Sequence, residues 1–295
     1  MPLLDKLREQ YGVGPLCSEL HIAPSTYYHC QQQRHHPDKR SARAQRDDWL
    51  KREIQRVYDE NHQVYGVRKV WRQLLREGIR VARCTVARLM AVMGLSGVLR
   101  GKKVRTTVSR KAVVAGDRVN RQFVAERPDQ LWVADSTYVS TWQGVVYVAF
   151  IIDVFAGYIV GWRVSSSMET TFVLDALEQA LWARRPSGTV HHSDKGSQYV
   201  SLAYTQRLKE AGLLASTGST GDSYDNAMAE SINGLYKAEV IHRKSWKNRA
   251  EVELATLTWV DWYNNRRLLE RLGHTPPAEA EKAYYASIGN DDLAA

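Results

Sequence analysis

Three acidic residues stand where a carboxylate needs explaining. Asp135 interrupts Leu131-Trp132-Val133-Ala134-Asp135-Ser136-Thr137-Tyr138-Val139, a run with strand composition. A lone carboxylate in such a strand is costly to bury unless it is paired or holds a cation. Asp194 ends the short apolar-to-polar stretch before Lys195-Gly196-Ser197-Gln198, at a strand C-terminus, where open α/β sheets collect ligands. Glu230 belongs to a helical pattern in which Asn226, Glu230, Asn233 and Lys237 recur at i, i+4, i+7 and i+11 and so share one face. A carboxylate, two amides and a lysine on one stripe suit a metal ion and a phosphate backbone. Carboxylate oxygens are hard donors, which favours Mg²⁺ or Mn²⁺ over zinc.

Each acid also has an ordinary explanation. Asp135 could be half of a buried ion pair, Asp194 a helix cap, and Glu230 a surface partner of a nearby base. Their order on strand, strand end and helix makes the joint reading the stronger one. Asp153, at the end of the next strand, is a competing acid and reads as structural or auxiliary, because the set is complete without it.

The elements that would position these groups follow from hydrophobic pattern. Strands are expected at 130–139, 145–153 and 157–164, with a hairpin turn at Thr141-Trp142-Gln143-Gly144. The nearly all-apolar Val145–Asp153 stretch predicts a strand buried on both faces. An amphipathic helix over 169–184, a strand at 189–192, a helix over 198–212, a strand at 213–216 and a mainly helical segment from 224 to about 269 complete the order. Three strands, helix, strand, helix, strand, then helices is a mixed α/β arrangement.

Charge divides the chain near Pro128. Residues 1–128 carry 26 basic and 12 acidic side chains; residues 129–295 carry 15 and 20. A basic segment favours a polyanion, because phosphate contacts release condensed counterions. Within it, Val67, Val70, Trp71 and Leu74 form an apolar stripe, with Arg68, Lys69, Arg72 and Arg76 on the other faces. Gly78 stops that helix, and Arg83 to Met93 forms a second amphipathic helix with Arg83 and Arg88 outward. This is a helix-turn-helix outline, favoured by the charge over a plain helical hairpin. A weaker outline of the same kind lies in Leu16–Tyr28, around Pro24-Ser25. Lys102, Lys103 and Arg105 lie in a basic connector suited to DNA backbone. The expected organisation is a helical segment and linker at 1–46, a helix-turn-helix domain at 47–99, a basic linker at 100–127, a catalytic core with C-terminal helices at 128–285, and a tail at 286–295.

Other classes fall away. No stretch approaches the ~18 apolar residues of a membrane span. The start Met1-Pro2-Leu3-Leu4-Asp5 is too polar for a signal peptide, so a cytoplasmic protein is expected. Three cysteines argue against a disulfide framework. Cys17, His21, His29, Cys30, His35 and His36 lie close in sequence but match no strong zinc spacing.

The motifs Trp132–Tyr138, His192–Tyr199, and Asp225–Ser231 followed by Lys237 resemble the integrase core of bacterial insertion-sequence transposases. Asp194 and Glu230 are separated by 35 residues, as in that group and in retroviral integrases. Tyr65-Gly66-Val67-Arg68, Val86–Met90, Trp262–Arg267 and Thr275–Glu279 resemble further parts of the second-frame protein of the IS-three family. The resemblance covers nearly the whole chain. It departs at Ser136, where isoleucine is frequent, and at Leu268-Leu269, where many relatives carry a histidine; neither removes an acid. The resemblance implies an RNase H-like five-stranded core behind an all-α DNA-binding segment. It also implies Asp135, Asp194 and Glu230 as catalytic metal ligands for two Mg²⁺ or Mn²⁺ ions, which activate the attacking oxygen and stabilise the leaving one. It implies strand cleavage and strand transfer at insertion-sequence ends. The implied partners are DNA, further copies of the chain on DNA, and an upstream-frame (OrfA) protein or a frameshift fusion with it. From the residues alone, a repressor on an inactive core and a nuclease that cuts without joining stay open.

Overall fold

The computed structural model describes residues 2–99, 124–194, 196–217 and 227–294. Three short helices open the chain: α1 (Pro2–Tyr11), α2 (Val13–Glu19) and α3 (Pro24–His35). They close over a small core of Leu4, Cys17 and Tyr27. The linker expected across 31–46 is shorter than anticipated. Helix α3 runs through the glutamines to His35, and α4 (Ala42–Glu60) begins at Ala42, capped by the Ser41 hydroxyl, which accepts from Ala44 N at 3.2 Å. Polarity alone does not end a helix when the residues are good helix formers, and glutamine and arginine are.

Helices α5 (Val67–Arg76) and α6 (Arg83–Val92) follow and pack on α4 through Leu50, Ile54, Val57, Val70, Leu74, Val86, Leu89 and Met90. After residue 124 comes the sheet: β1 (Leu131–Thr141), β2 (Gly144–Asp153), β3 (Ile159–Ser165), α7 (Thr170–Arg184), β4 (Val190–Ser193), α8 (Leu202–Glu210), β5 (Leu214–Thr217), α9 (Ala227–Glu239), α10 (Arg249–Asn265) and α11 (Pro277–Ala294). Strand order is β3-β2-β1-β4-β5; β1, β2 and β3 are antiparallel, while β4 and β5 run parallel to β1.

Period-2 alternation sends β1 to two different layers. Trp132 and Ala134 face a core built with α7 and α8, containing Phe172, Ala176, Leu177 and Tyr204. Leu131 and Val133 face the other layer, with Ile232 and Tyr236 of α9 and Trp259 and Tyr263 of α10. Asp135 has the parity of Val133 and therefore points to the α9 side. Gly161 sits where α7 crosses β3 so closely that a Cβ would overlap the carbonyl oxygen of Ala176.

The second layer does not stop at the sheet. It runs on into α4, α5 and α6, so the helix-turn-helix segment and the catalytic sheet share one apolar core. Asn61 accepts from Trp262 Nε1 at 3.1 Å, and the Tyr65 hydroxyl accepts from Leu268 N at 2.8 Å.

Candidate active site and DNA-contacting surfaces

The first carboxylate is fixed by its own strand and by α9. Asp135 Oδ1 accepts from Ser136 N at 2.8 Å, and Oδ2 accepts from Asn233 Nδ2 at 2.9 Å. Asn233 is buried, so it serves Asp135 and not an open surface; its Oδ1 has no partner among the described residues. Glu230 lies three residues earlier on α9, on the same helical face.

Asp194 arrives through the parallel pairing of β1 and β4. Ala134 pairs with Ser193, so Asp135 and Asp194 occupy the next position on neighbouring strands. Parallel neighbours lie about 4.8 Å apart. Asp194 Oδ1 accepts from Gly196 N at 3.0 Å, which turns the chain sharply after the strand. Burial, then the charges of Asp194 and Glu230, push the Asp135 carboxyl up to about 7. Among the described residues, no three His, Cys, Asp or Glu side chains converge at metal-ligand distance. Asp135 nonetheless feels both other acids, and all three offer hard oxygen donors. A like-charged, partly buried carboxylate beside an unpartnered amide oxygen fits a hard divalent cation.

Asp153 stands apart. It pairs with Trp132 in the ladder, three residues along the strand from Asp135, or about 10 Å. Its oxygens accept from Asp129 N at 2.6 Å and Phe155 N at 2.9 Å, so it ties the turn after β2 to the start of β1. Burial pushes its carboxyl up to about 7 as well.

The basic residues divide into inward and outward groups. Lys69 is partly buried over the Tyr65 ring, and burial followed by the nearby Arg267 pulls its ammonium down to about 8. Arg68 pairs with Glu270. Arg72 stacks on Trp71 at 4.7 Å, Arg88 pairs with Asp47 at 2.9 Å, and Arg83 is exposed at the start of α6. A cleft of about 600 Å³ beside α4 and α6 is lined by Arg43, Arg46, Arg80 and Arg88, together with Asp47, the partner of Arg88. The arginines of α4 and of the turn were not among the sequence candidates. Their signal was present as Arg43, Arg46 and Arg80, but only the fold brings them to one cleft. Lys237 rests over the exposed Tyr138 ring at 4.9 Å, on the α9 and β1 side. Asn226, Lys102, Lys103 and Arg105 lie outside the described residues.

The C-terminal segment Trp262–Arg267 has a physical account that spacing did not provide. Asn264 mimics a strand edge: its Oδ1 accepts from Ile159 N at 2.9 Å and its Nδ2 donates to Ile159 O at 3.0 Å. Arg267 donates from Nε to both oxygens of Glu239, at 3.1 and 3.0 Å, and Glu239 also accepts from Trp259 Nε1. Helix α9, which carries Glu230, is thereby clamped at its C-terminal end.

Family models match in three places: an HTH-like domain at residues 45–103 and integrase core domains at 125–223 and 211–277. With a mixed five-stranded sheet flanked by helices, these matches define an integrase-core protein of the polynucleotidyl transferase class. Over all 295 residues the chain is 97% identical to the transposase for insertion sequence element IS629 of Shigella sonnei, covering 100% of both chains. It is 54% identical over 273 residues to a putative transposase for IS986/IS6110 of Mycobacterium tuberculosis, covering 90% of this chain and 96% of that one. The chain belongs to the insertion-sequence transposase family. Among solved structures it is similar to the HTLV-2 integrase catalytic core in complex with magnesium, at 13% identity and a TM-score of 0.41, over 53% of this chain and 98% of that one. So distant a likeness carries nothing for the site.

Proposed function

We propose that this transposase cuts and rejoins DNA at Asp135, Asp194 and Glu230, with Asn233 and the Glu239–Arg267 pair as positioning groups. The observation that supports this is the Asp135 carboxylate, held by Asn233 of the Glu230 helix and raised by the charges of Asp194 and Glu230. Asp135, Asp194 and Glu230 would hold divalent ions, two of Mg²⁺ or Mn²⁺, which would supply activation of an attacking oxygen and stabilisation of the leaving one. Asn233 fixes the Asp135 rotamer, and the backbone N–H of Ser136 holds its other oxygen. Gly196 N orients Asp194. A water first attacks at the element end and exposes a 3′-hydroxyl, which then attacks a second phosphodiester. One phosphodiester replaces another, so no ATP is consumed.

The DNA is gripped by outward basic groups: Arg83, Arg72, Lys237 and, in the cleft, Arg43, Arg46 and Arg80, with Asn226, Lys102, Lys103 and Arg105 as further contacts. Arg68, Lys69 and Arg88 reach DNA only by leaving the partners described above. Two element ends require more than one copy of the chain, and the upstream-frame protein, free or fused, is a further partner.

The test is strand cleavage and joining on labelled element-end DNA with Mg²⁺ or Mn²⁺, comparing wild type with Glu230→Gln. Metal-dependent joining that disappears in the variant is expected. Joining that survives Glu230→Gln or Asp135→Asn refutes the assignment. Cleavage without joining in the wild type, also when fused to the upstream frame, would make the chain a nuclease.

A further inference from the structure

The turn between α5 and α6 has a definite geometry. Leu74 is buried, and Gly78, four residues on, has φ +82°. Gly78 N donates to Leu75 O at 3.0 Å, and Ile79 N donates to Leu74 O at 2.9 Å. This pair of bonds ends the first helix and aims the chain at the second. The next helix opens with Thr85 N donating to Ala82 O at 3.0 Å.

The same helix ending occurs between α2 and α3. Cys17 is buried, and His21, four residues on, has φ +50°. His21 N donates to Ser18 O at 3.1 Å, and Ile22 N donates to Cys17 O at 2.8 Å. Helix α3 opens with Thr26 N donating to Ala23 O at 2.9 Å, and Tyr27 plugs the core against Cys17 and Leu4. A non-glycine residue at positive φ is uncommon, and histidine is among those that tolerate it. These bonds are a common helix ending and recur after α4, α6 and α8. What gives α2 and α3 a helix-turn-helix outline is the short turn joining two helices that close on their own small core, in a part of the chain that the HTH-like family model, at 45–103, does not reach.

Its second helix presents a surface suited to base edges. Ser25, Tyr28, His29 and Gln32 are exposed and fall at i, i+3, i+4 and i+7, one stripe on α3. All four are hydrogen-bonding side chains, and Tyr28 is 60% exposed. No Asp or Glu occurs from Leu20 to Pro37; the carboxylate of Asp5 on α1 meets α3 at Tyr27, Gln31 and Arg34, away from the Ser25, Tyr28, His29 and Gln32 stripe. From Leu20 to Arg46 the chain carries Arg34, Lys39, Arg40, Arg43 and Arg46 against Asp38; Arg34 pairs with Asp5 and Arg40 with Asp48, so the positive excess rests on Lys39, Arg43 and Arg46. Two of those arginines, Arg43 and Arg46, line the basic cleft beside α6. Glutamine pairs with adenine edges and serine with either kind of base pair, whereas plain backbone binding needs mainly lysine and arginine.

We propose that α2 and α3 form a second sequence-reading unit for duplex DNA, with α3 in a major groove and Ser25, Tyr28, His29 and Gln32 at base edges. The chain then reads two blocks of sequence, one through α3 and one through α6.

The experiment is selection of bound duplexes from a randomised library by the full-length chain. Wild type, Tyr28→Ala/Gln32→Ala and Arg83→Ala are compared, with thermal unfolding to verify that each variant is folded. Wild type is expected to enrich two separated blocks. The α3 variant is expected to lose one block and to bind the two-block site roughly 5- to 150-fold more weakly, the range for losing one bidentate base contact. Arg83→Ala should weaken binding while leaving the α3 block enriched. If the α3 variant unfolds early, Gln32→Glu, which changes the donor pattern at an exposed position, is used in its place. One block, unchanged by substitutions in α3, overturns the α3 assignment and leaves the action on DNA standing. No enrichment by the wild type overturns sequence reading by both helices.

Discussion

Replacing Asp135 by asparagine should stabilise the metal-free protein, by an amount that depends on pH. In the native state the carboxyl is raised from its usual 3.8 to about 7, by burial first and by Asp194 second. A group whose folded pKa lies above its unfolded value adds stability below the unfolded pKa, near 4, and loses it as pH rises through the folded value, about 7. Keeping the ionised form at pH 8 therefore costs at most roughly 4 kcal/mol, and about 2–4 kcal/mol once solvent at this partly exposed site is counted. Asparagine removes that cost without losing the local bonds. Its Oδ1 can accept from Ser136 N, and its amide can donate to the Asn233 Oδ1, which lacks a partner among the described residues, once the Asn233 amide turns over. A chain of this length gains about 0.6 kcal/mol per kelvin of melting temperature, so Asp135→Asn should melt about 3–6 °C higher at pH 8 and within a degree of wild type at pH 4. Differential scanning calorimetry in EDTA reads this directly. Adding Mg²⁺ at pH 8 should raise wild type towards the variant and leave the variant unmoved. A melting difference that is flat from pH 4 to pH 8, or a variant less stable at pH 8, would refute the reasoning.

Three further outcomes follow from packing. Arg267→Met leaves the buried Glu239 carboxylate without its guanidinium and should cost about 3–5 kcal/mol in urea unfolding, with Glu239→Leu/Arg267→Met recovering much of the loss. Gly161→Ala drives a methyl into the Ala176 carbonyl; overpacking of that kind costs about 1–3 kcal/mol and should open β3 to hydrogen exchange before the rest of the sheet. Asn264→Ala strips both side-chain partners from Ile159 and should cost about 2–4 kcal/mol by the same unfolding assay.

The sheet and the acids were legible because their signals are local. The apolar run Val145–Ile152 and the hairpin turn at residues 141–144 define β1 and β2 within a residue or two, and a carboxylate in a hydrophobic strand announces itself. The role of Asn233 was legible only as a shared helical face. Spacing put it beside Glu230, but whether the stripe met solvent or β1 depended on how α9 packs, which is tertiary information. The same limit applied to Lys69. Hydrophobic periodicity placed it on the outer side of α5, where a helix alone would leave it, yet the core covers that side with Tyr65 and Arg267. The turn at His21 was legible only as a weak outline in Leu16–Tyr28, for a different reason. Glycine advertises a left-handed turn and histidine does not.

The charge asymmetry of the chain has two uses, and the structure separates them. A basic N-terminal half and an acidic C-terminal half read as two parts with different partners, yet several of those charges meet one another. Arg68 pairs with Glu270, Arg76 with Glu279 at 2.7 Å, and Glu60 with Arg266 at 3.5 Å. These surface pairs are each worth at most about 1 kcal/mol, so they orient the contact more than they hold it. What holds it is apolar: Tyr65, Leu268 and Trp262 are buried in the core that also receives α9 and β1. The helix-turn-helix of α5 and α6 is therefore not a tethered module that finds DNA independently of the acids. Its position relative to Asp135 is set by side-chain packing, and packed interiors resist continuous deformation. On the proposed function, a phosphate held at the arginine cleft would lie at a fixed reach from the carboxylates, and the point of grip would set the point of cleavage.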